Sequence, residues 1–430
     1  MSKARFESTM YFEQKTFLLA AVFALIFSAL ATNADAETVY VLSEDLTDPL
    51  TLTVTVARPG ESGVTRLVLR GTRFGVQSQI ASPLCDGTAL TFVEEGEWQL
   101  PTSCQQVSWN VVLESAALAD ASAQRSIASR GAARFTLISE ASSLARLDDA
   151  EQPELLQLPT ERSGTTFPRP DENGRIMLPP FSQAPLFVLM DSEPILSRSD
   201  GGVSLAYFID DPLQRSQLPN IDAHMRGLTW ISNLVPSTEP RVFQVVWLGV
   251  ASDAPTVGGA EGTGLLLSNY RRTPGSPQPL HIAMYIPLHE AFHQIGGGLE
   301  NKPAWVGESL ATYIAARALR YALDDALEAV EVYEEFLSHA ERVPLGLLEI
   351  SRQIEAGDRS QYDAFYSKGL AFWDAVNRTM LTAHGDGLET RLTEIVTADF
   401  NDDGLPVSLA QTLGISPASW ELLIHDYLGS

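Results

Sequence analysis

The residues best suited to chemistry stand close together near position 290. His289, Glu290 and His293 form an H-E-x-x-H motif. On a helix, residues four apart share a face, so the two imidazoles can bind one metal ion. Glu290 then reaches a water molecule on that metal, where it can act as a general base. The motif is typical of metal-dependent hydrolases, although it also occurs by chance in unrelated helices.

A hydrolytic zinc site needs a third protein ligand and an open position for water. Glu308 is the best candidate, because a new helix beginning near Pro303 places this carboxylate on its second turn. The glycine run at 296–298 ends the first helix before that. The sequence does not match the longer metzincin motif, which requires a histidine where this chain has Leu299.

Four motifs, in this order along the chain, resemble those of the gluzincin metallopeptidases. The similarity is to the glycyl aminopeptidase family, and next to aminopeptidase N and its relatives. The motifs are Gly258-Gly259-Ala260-Glu261, the H-E-x-x-H sequence, Trp305-Val306-Gly307-Glu308 and Tyr366-Ser367-Lys368-Gly369. Two departures are visible: Ser309 replaces the glycine that usually follows the third ligand, and the spacer before Glu308 is shorter than usual.

The resemblance implies a role for each motif. One Zn²⁺ would be held by His289, His293 and Glu308, with Glu290 as the general base. The Tyr366 hydroxyl would stabilise the oxyanion, a kind of contact whose loss typically costs about 10²–10³ in rate.

Glu261 would bind the free α-amine of a peptide or protein substrate, which would make the protein an aminopeptidase. The residues after Glu261 do not follow the family pattern, so this segment could equally be a glycine-rich surface turn. An endopeptidase with the same metal site therefore remains an alternative. A non-catalytic, zinc-stabilised binding module is a second alternative. A structural β-domain protein with a helical scaffold is a third, and it predicts no bound metal.

Composition limits the classes of partner. The 430 residues are enough for two domains, and the formal net charge is −25. Such an acidic chain is unsuited to the phosphate backbone of nucleic acids and to anionic membrane surfaces. The charge says little about the substrate.

The first 36 residues have the pattern of a secretory signal peptide. Basic residues precede the apolar run 17–30, and Ala34-Asp35-Ala36 is a cleavage-like triplet. We expect an exported protein, periplasmic or secreted, with no stable membrane insertion after signal removal. An oxidising compartment would allow Cys85 and Cys104 to form a disulfide.

Patterning predicts an α+β protein with two domains after the signal peptide. Residues 37–195 contain short β-branched and aromatic runs, with a proline-rich linker over about 150–195. The resemblance implies a β-sandwich-like domain there. Residues 196–430 would then form a thermolysin-like, mainly helical catalytic domain with a small sheet. We expect no PDZ domain after the helical domain, although one often accompanies the glycyl aminopeptidase family.

Within the second domain, the sequence predicts the elements that position the motifs. Apolar strands are expected over 242–250 and 264–268, and the H-E-x-x-H helix over about 282–295. The Glu308 helix is expected over about 303–322, followed later by a helix that carries Tyr366. In the gluzincin plan, an edge strand near here binds the substrate backbone by β-addition.

Overall fold

The structure is a computed structural model that describes residues 37–429. Short gaps fall at 46, 58–64, 132, 149–152, 160–163, 182, 255–256, 273–279, 297–298, 300–301, 399 and 401–406. The segment predicted to be a signal peptide lies outside the described residues.

The described strands are β1 (Thr38–Glu44), β2 (Thr51–Ala57), β3 (Arg66–Val68), β4 (Ile80–Cys85), β5 (Thr88–Ala89), β6 (Thr91–Glu94), β7 (Glu97–Gln99), β8 (Gln106–Val112), β9 (Glu114–Ser115), β10 (Ile127–Arg130), β11 (Arg134–Ser139), β12 (Arg146–Leu147), β13 (Glu154–Gln157), β14 (Thr165–Phe167), β15 (Arg175–Met177), β16 (Phe187–Ser192), β17 (Leu196–Asp200), β18 (Val203–Ile209), β19 (Arg241–Val250), β20 (Gly259–Gly262) and β21 (Leu265–Arg271). The described helices are α1 (Glu140–Ser143), α2 (Ile221–Leu234), α3 (Leu280–Ile295), α4 (Ala304–Ala322), α5 (Leu327–Ala340), α6 (Leu347–Glu355), α7 (Ala364–His384), α8 (Leu392–Thr397), α9 (Val407–Thr412) and α10 (Pro417–Leu423).

The N-terminal half is built from packed sheets. A seven-stranded sheet has the order β15-β13-β1-β2-β8-β4-β5, and a five-stranded sheet has the order β14-β16-β11-β10-β9. Strand β2 alternates buried and partly exposed residues, as a strand with one covered face must. Tyr40 and Trp109 from the first sheet share a core with Ile138 and Val188 from the second. The predicted sandwich-like arrangement is therefore confirmed.

The proline-rich stretch is not the linker that the sequence predicted. Strand β13 lies inside the seven-stranded sheet, between β15 and β1. Its first residue, Glu154, is buried and accepts a hydrogen bond from the Tyr40 hydroxyl at 2.6 Å. It also forms an ion pair with Arg146. A buried acid is tolerated when it is paired and hydrogen-bonded. The acidic residues and prolines over about 150–195 suggested a solvated linker, but several of them lie at the ends of strands within the sheets.

The C-terminal half places one small sheet against helices. Its order is β17-β18-β19-β21-β20, with β18, β19 and β21 parallel. Strand β20 runs antiparallel to β21 and forms the edge. The Gly258–Glu261 motif, for which a glycine-rich turn was the alternative, thus lies mostly on an edge strand. The expected small sheet and mainly helical second domain are confirmed.

The site helices pack closely. Helices α3 and α4 begin within about two residues of the predicted positions, and both contribute to one large core with α2 and α7. Gly369 of α7 meets Ser309 of α4 so closely that a Cβ atom would lie 2.2 Å from the serine Cβ. Trp373 donates a hydrogen bond to the Ser309 hydroxyl at 2.8 Å. These two contacts accommodate the serine that departs from the family pattern.

A third core joins the two halves. Leu137 and Leu189 of the N-terminal sheet pack with Phe208, Val246 and Leu267 of the C-terminal sheet. Asn269 adds polar contacts, accepting from the Ala121 amide at 2.9 Å and donating to the Ala119 carbonyl at 3.2 Å. The N-terminal half therefore supports the sheet whose edge strand carries Glu261.

Cys85 and Cys104 form a disulfide in the N-terminal half. Of the helices in the described part of the chain, none has the length and apolar content needed to cross a membrane.

Candidate metal centre

The two histidines of the motif lie on one face of α3, as their spacing predicts. Their Nε2 atoms are 3.1 Å apart. Leu288, Ala291 and Phe292 face the core and are fully buried, so the helix cannot rotate about its axis without exposing them. Packing of the apolar residues thus fixes the direction of both imidazoles.

Glu308 approaches from α4. Its Oε2 lies 3.3 Å from His289 Nε2 and 3.7 Å from His293 Nε2. Zinc binds histidine nitrogen and carboxylate oxygen at about 2.0–2.2 Å, so neighbouring ligand atoms in a tetrahedral site are about 3.4 Å apart. The three atoms fit the Zn²⁺ that the sequence predicted.

The charges around these atoms also favour a cation. Burial alone would lower the pKa of His293, but the hydrogen bond and charge of Glu308 raise it to about 9. Burial would raise the pKa of Glu308, but both histidines hold it far below its usual range. A positive charge is therefore stabilised where the three side chains meet.

The hydroxyl groups of Thr312 and Tyr362 contact the candidate metal ligands. Thr312 Oγ1 donates to the Glu308 carbonyl at 2.7 Å and lies 3.4 Å from His289 Nδ1. With its own proton used, this oxygen accepts from Nδ1–H, which leaves Nε2 free to bind a metal. Tyr362 donates to Glu308 Oε1 at 3.0 Å. No sequence motif pointed to Tyr362, although it stands four residues before Tyr366, a spacing that would place both tyrosines on one face of a helix.

Glu290 lies beside the ligands, against the edge strand. An added Cβ at Gly259 would lie 2.3 Å from Ile286 Cγ2 and 3.0 Å from Glu290 Oε1. Burial raises the pKa of Glu290 to about 8, although the charge of His293 opposes this, and the charge of Glu261 adds to it. A carboxyl group that gains and loses a proton near neutral pH suits a general base.

Glu261 reaches the same place from β20. Its charge acts on both Glu290 and His293, so the carboxylate belongs to the cluster. Gln294 of α3 donates to the carbonyls of Gly262, at 2.8 Å, and Leu265, at 3.2 Å. These bonds fix the edge strand to the helix that carries the histidines.

Tyr366 approaches the histidines from α7. Its ring centroid is 5.8 Å from that of His289 and 5.9 Å from that of Tyr362. Burial and the charge of Glu308 raise the pKa of Tyr366 far above its usual range, so its hydroxyl stays protonated and can donate a hydrogen bond. All six residues singled out from the sequence thus converge on one place.

Known structures share this fold. An aminopeptidase N family protein from Idiomarina loihiensis superposes with a TM-score of 0.59 at 14% identity, over 91% of this chain and 74% of that one. An M1 zinc metallopeptidase from Deinococcus radiodurans gives 0.51 at 15% identity, over 93% of this chain and 96% of that one. A mutant of that peptidase bound to a Tyr-Ser-Ala substrate also gives 0.51 at 15% identity, over 91% and 93%.

No protein-family model matches the sequence, and no curated protein matches it either. At identities this low, the structural similarity demonstrates the fold. The fold expected from the gluzincin-like motifs is therefore confirmed.

Proposed function

We propose that this protein is a zinc-dependent aminopeptidase. The observation that carries the proposal is the convergence of His289, His293 and Glu308 on one point, with Glu290 beside it. The likeness in fold to M1 zinc metallopeptidases supports a peptidase.

A bound Zn²⁺ would supply a Lewis acid for the scissile carbonyl and lower the pKa of the attacking water. The Glu290 carboxylate accepts a proton from that water and passes it to the leaving nitrogen as the peptide bond breaks. The Tyr366 hydroxyl donates a hydrogen bond to the carbonyl oxygen as it gains negative charge.

The proposal of an aminopeptidase, rather than an endopeptidase, depends on Glu261. Its position on an edge strand lets an extended peptide add alongside β20. Its negative charge beside Glu290 and His293 would pair there with the α-amine of the first residue. This pairing limits cleavage to residues near a free N-terminus.

The test is mapping of cleavage sites by mass spectrometry. The zinc-loaded protein is incubated with a peptide pool, half of it N-acetylated, beside the Glu290→Gln variant. Trimming of free N-termini alone is the expected result. Cuts within both halves of the pool would make the protein an endopeptidase. Bound zinc without cleavage above the Glu290→Gln background would favour a binding module instead.

We further propose that the protein is exported and that its domains divide near residue 195. The signal-like first 36 residues and the Cys85–Cys104 disulfide support export. One core ends at Met190 and the large helical core begins at Val203, which supports the division. Cell fractionation with N-terminal sequencing tests export, and a mature protein that keeps residues 1–36 in the cytoplasm would contradict it.

A further inference from the structure

A second concave site lies beside the metal centre and shares Tyr366 as a wall. It is a cavity of about 420 Å³ between the end of α5, the loop after it and the start of α7. Phe336, Arg342, Val343 and Asp363 are among its lining residues. Small-ligand sites typically span ~300–1,000 Å³, so this cavity suits one or two amino-acid residues.

Glu261 and the cavity belong to different neighbours of helix α3. Helix α3 packs against β20 through Ile286 and Gln294. The same helix packs against α5 through Tyr285, whose ring centroid is 5.4 Å from that of Phe336. A peptide with its amine at Glu261 and its scissile carbonyl near Tyr366 would therefore continue into the cavity.

Arg342 supplies an available positive charge in the cavity wall. In the part of the chain that the structure describes, its guanidinium forms no ion pair, and Asp363 in the same lining is not bonded to it. Its Nη2 donates a hydrogen bond to the Ser338 hydroxyl at 3.4 Å. A guanidinium with free N–H groups binds a carboxylate by two parallel hydrogen bonds.

Hydrogen bonds from Lys368 restrain the loop that follows Arg342. Lys368 Nζ donates to the carbonyls of Val343 at 3.2 Å and Leu345 at 2.7 Å. Lys368 follows Tyr366 by two residues on α7, so one helix turn positions both the hydroxyl donor and the loop. This anchoring restrains the backbone beside Arg342, so less backbone entropy is lost when the guanidinium binds a ligand.

We propose that Arg342 binds the C-terminal carboxylate of short peptide substrates, so that the protein selects peptides ending one or two residues after the scissile bond. The inference rests on the proposed peptidase function and adds a substrate class to it. Arg342 is in this view a specificity-determining residue.

The experiment compares tri-alanine with its C-terminal amide as substrates of the zinc-loaded protein. Charge-assisted hydrogen bonds are strong enough that we expect kcat/KM to favour the free acid by about tenfold or more, mainly through KM. Arg342→Gln should abolish the preference, and Arg342→Lys should retain part of it. The matched control is Arg352→Gln on α6, an exposed arginine that pairs with Glu349 of its own helix, which should keep the full preference.

In the rate comparison, two outcomes overturn the proposal: equal rates for acid and amide in the wild-type protein, or an undiminished preference in Arg342→Gln. Hydrolysis of an alanine arylamide, which has no carboxylate, reports on the proposed function separately by comparison with Glu290→Gln. If the protein hydrolyses none of these substrates, calorimetry measures the affinity of the Glu290→Gln variant for tri-alanine and for its amide. Tighter binding of the acid that requires Arg342 supports the inference, and equal binding refutes it.

Discussion

The Tyr362 hydroxyl donates a hydrogen bond to Glu308 Oε1 at 3.0 Å, while the other oxygen of the same carboxylate faces the two imidazoles. The tyrosine thereby fixes the rotation of the carboxylate about its last bond. Outer contacts of this kind typically change metal affinity by about 10–100-fold.

Tyr362→Phe should therefore weaken zinc binding by about tenfold or more and leave the fold intact, because the ring and its packing remain. Zinc affinity is measured by competition with a chromophoric chelator. Tyr333→Phe is the matched control, because it removes a similar tyrosine–carboxylate bond, to Asp374 at 2.6 Å, outside the metal centre. Equal zinc affinities in the two variants would show that Tyr362 does not support the ligand.

Gly259→Ala should reduce kcat by at least about tenfold, because small displacements of catalytic groups are costly. A Cβ at this position meets Ile286 and Glu290 Oε1, so the general base must move. Zinc content should stay the same, since the three ligands lie on other elements. Gly131→Ala is the control, because a Cβ there has no atom within 4 Å. Full activity in Gly259→Ala would contradict the close packing of Glu290 on β20.

His224 should make the protein less stable in acid. It is fully buried, its Nδ1 lies 2.6 Å from the Tyr207 hydroxyl, and burial lowers its pKa to about 3. The unfolded chain takes up this proton near pH ~6.5, so the neutral histidine's contribution is complete above that pH. It is lost as pH falls towards 3, by up to about 1.4 kcal/mol per pH unit.

Urea unfolding of wild type and His224→Gln at pH 7, 5 and 4 measures this contribution. We expect the free energy of unfolding to fall less steeply with pH in the variant. His425→Gln, at an exposed position, should keep the slope of the wild type. Identical slopes in all three proteins would mean that His224 is not the group responsible.

Removing the disulfide should destabilise the N-terminal half. Cys85 and Cys104 are 19 residues apart, and closing a loop of this length is worth about 3 kcal/mol in the chain-entropy model. The double alanine variant should lose about that much free energy of unfolding in urea. Wild-type protein treated with reductant should lose the same amount of free energy of unfolding. A loss below about 0.5 kcal/mol in either sample would argue against the disulfide.

The sequence alone predicted the three candidate metal ligands and the fold class. His289 and His293 are related by a local repeat of the helix, and Glu308 follows on the next helix, so their meeting depends on short-range geometry. Alternation of apolar residues likewise predicted strands such as β2 and β19 without knowledge of their partners.

Only the tertiary structure decided which distant residues surround the ligands. Tyr362 is 54 residues from Glu308, and Gly259 meets Glu290 across a strand–helix contact that no local pattern encodes. The burial of Glu154 in a sheet depends on Tyr40, which is 114 residues away, and on Arg146, which lies on β12, the preceding strand in the sequence. Whether a polar or small residue is solvated, buried or catalytic depends on what packs against it, and that is settled only when the cores form.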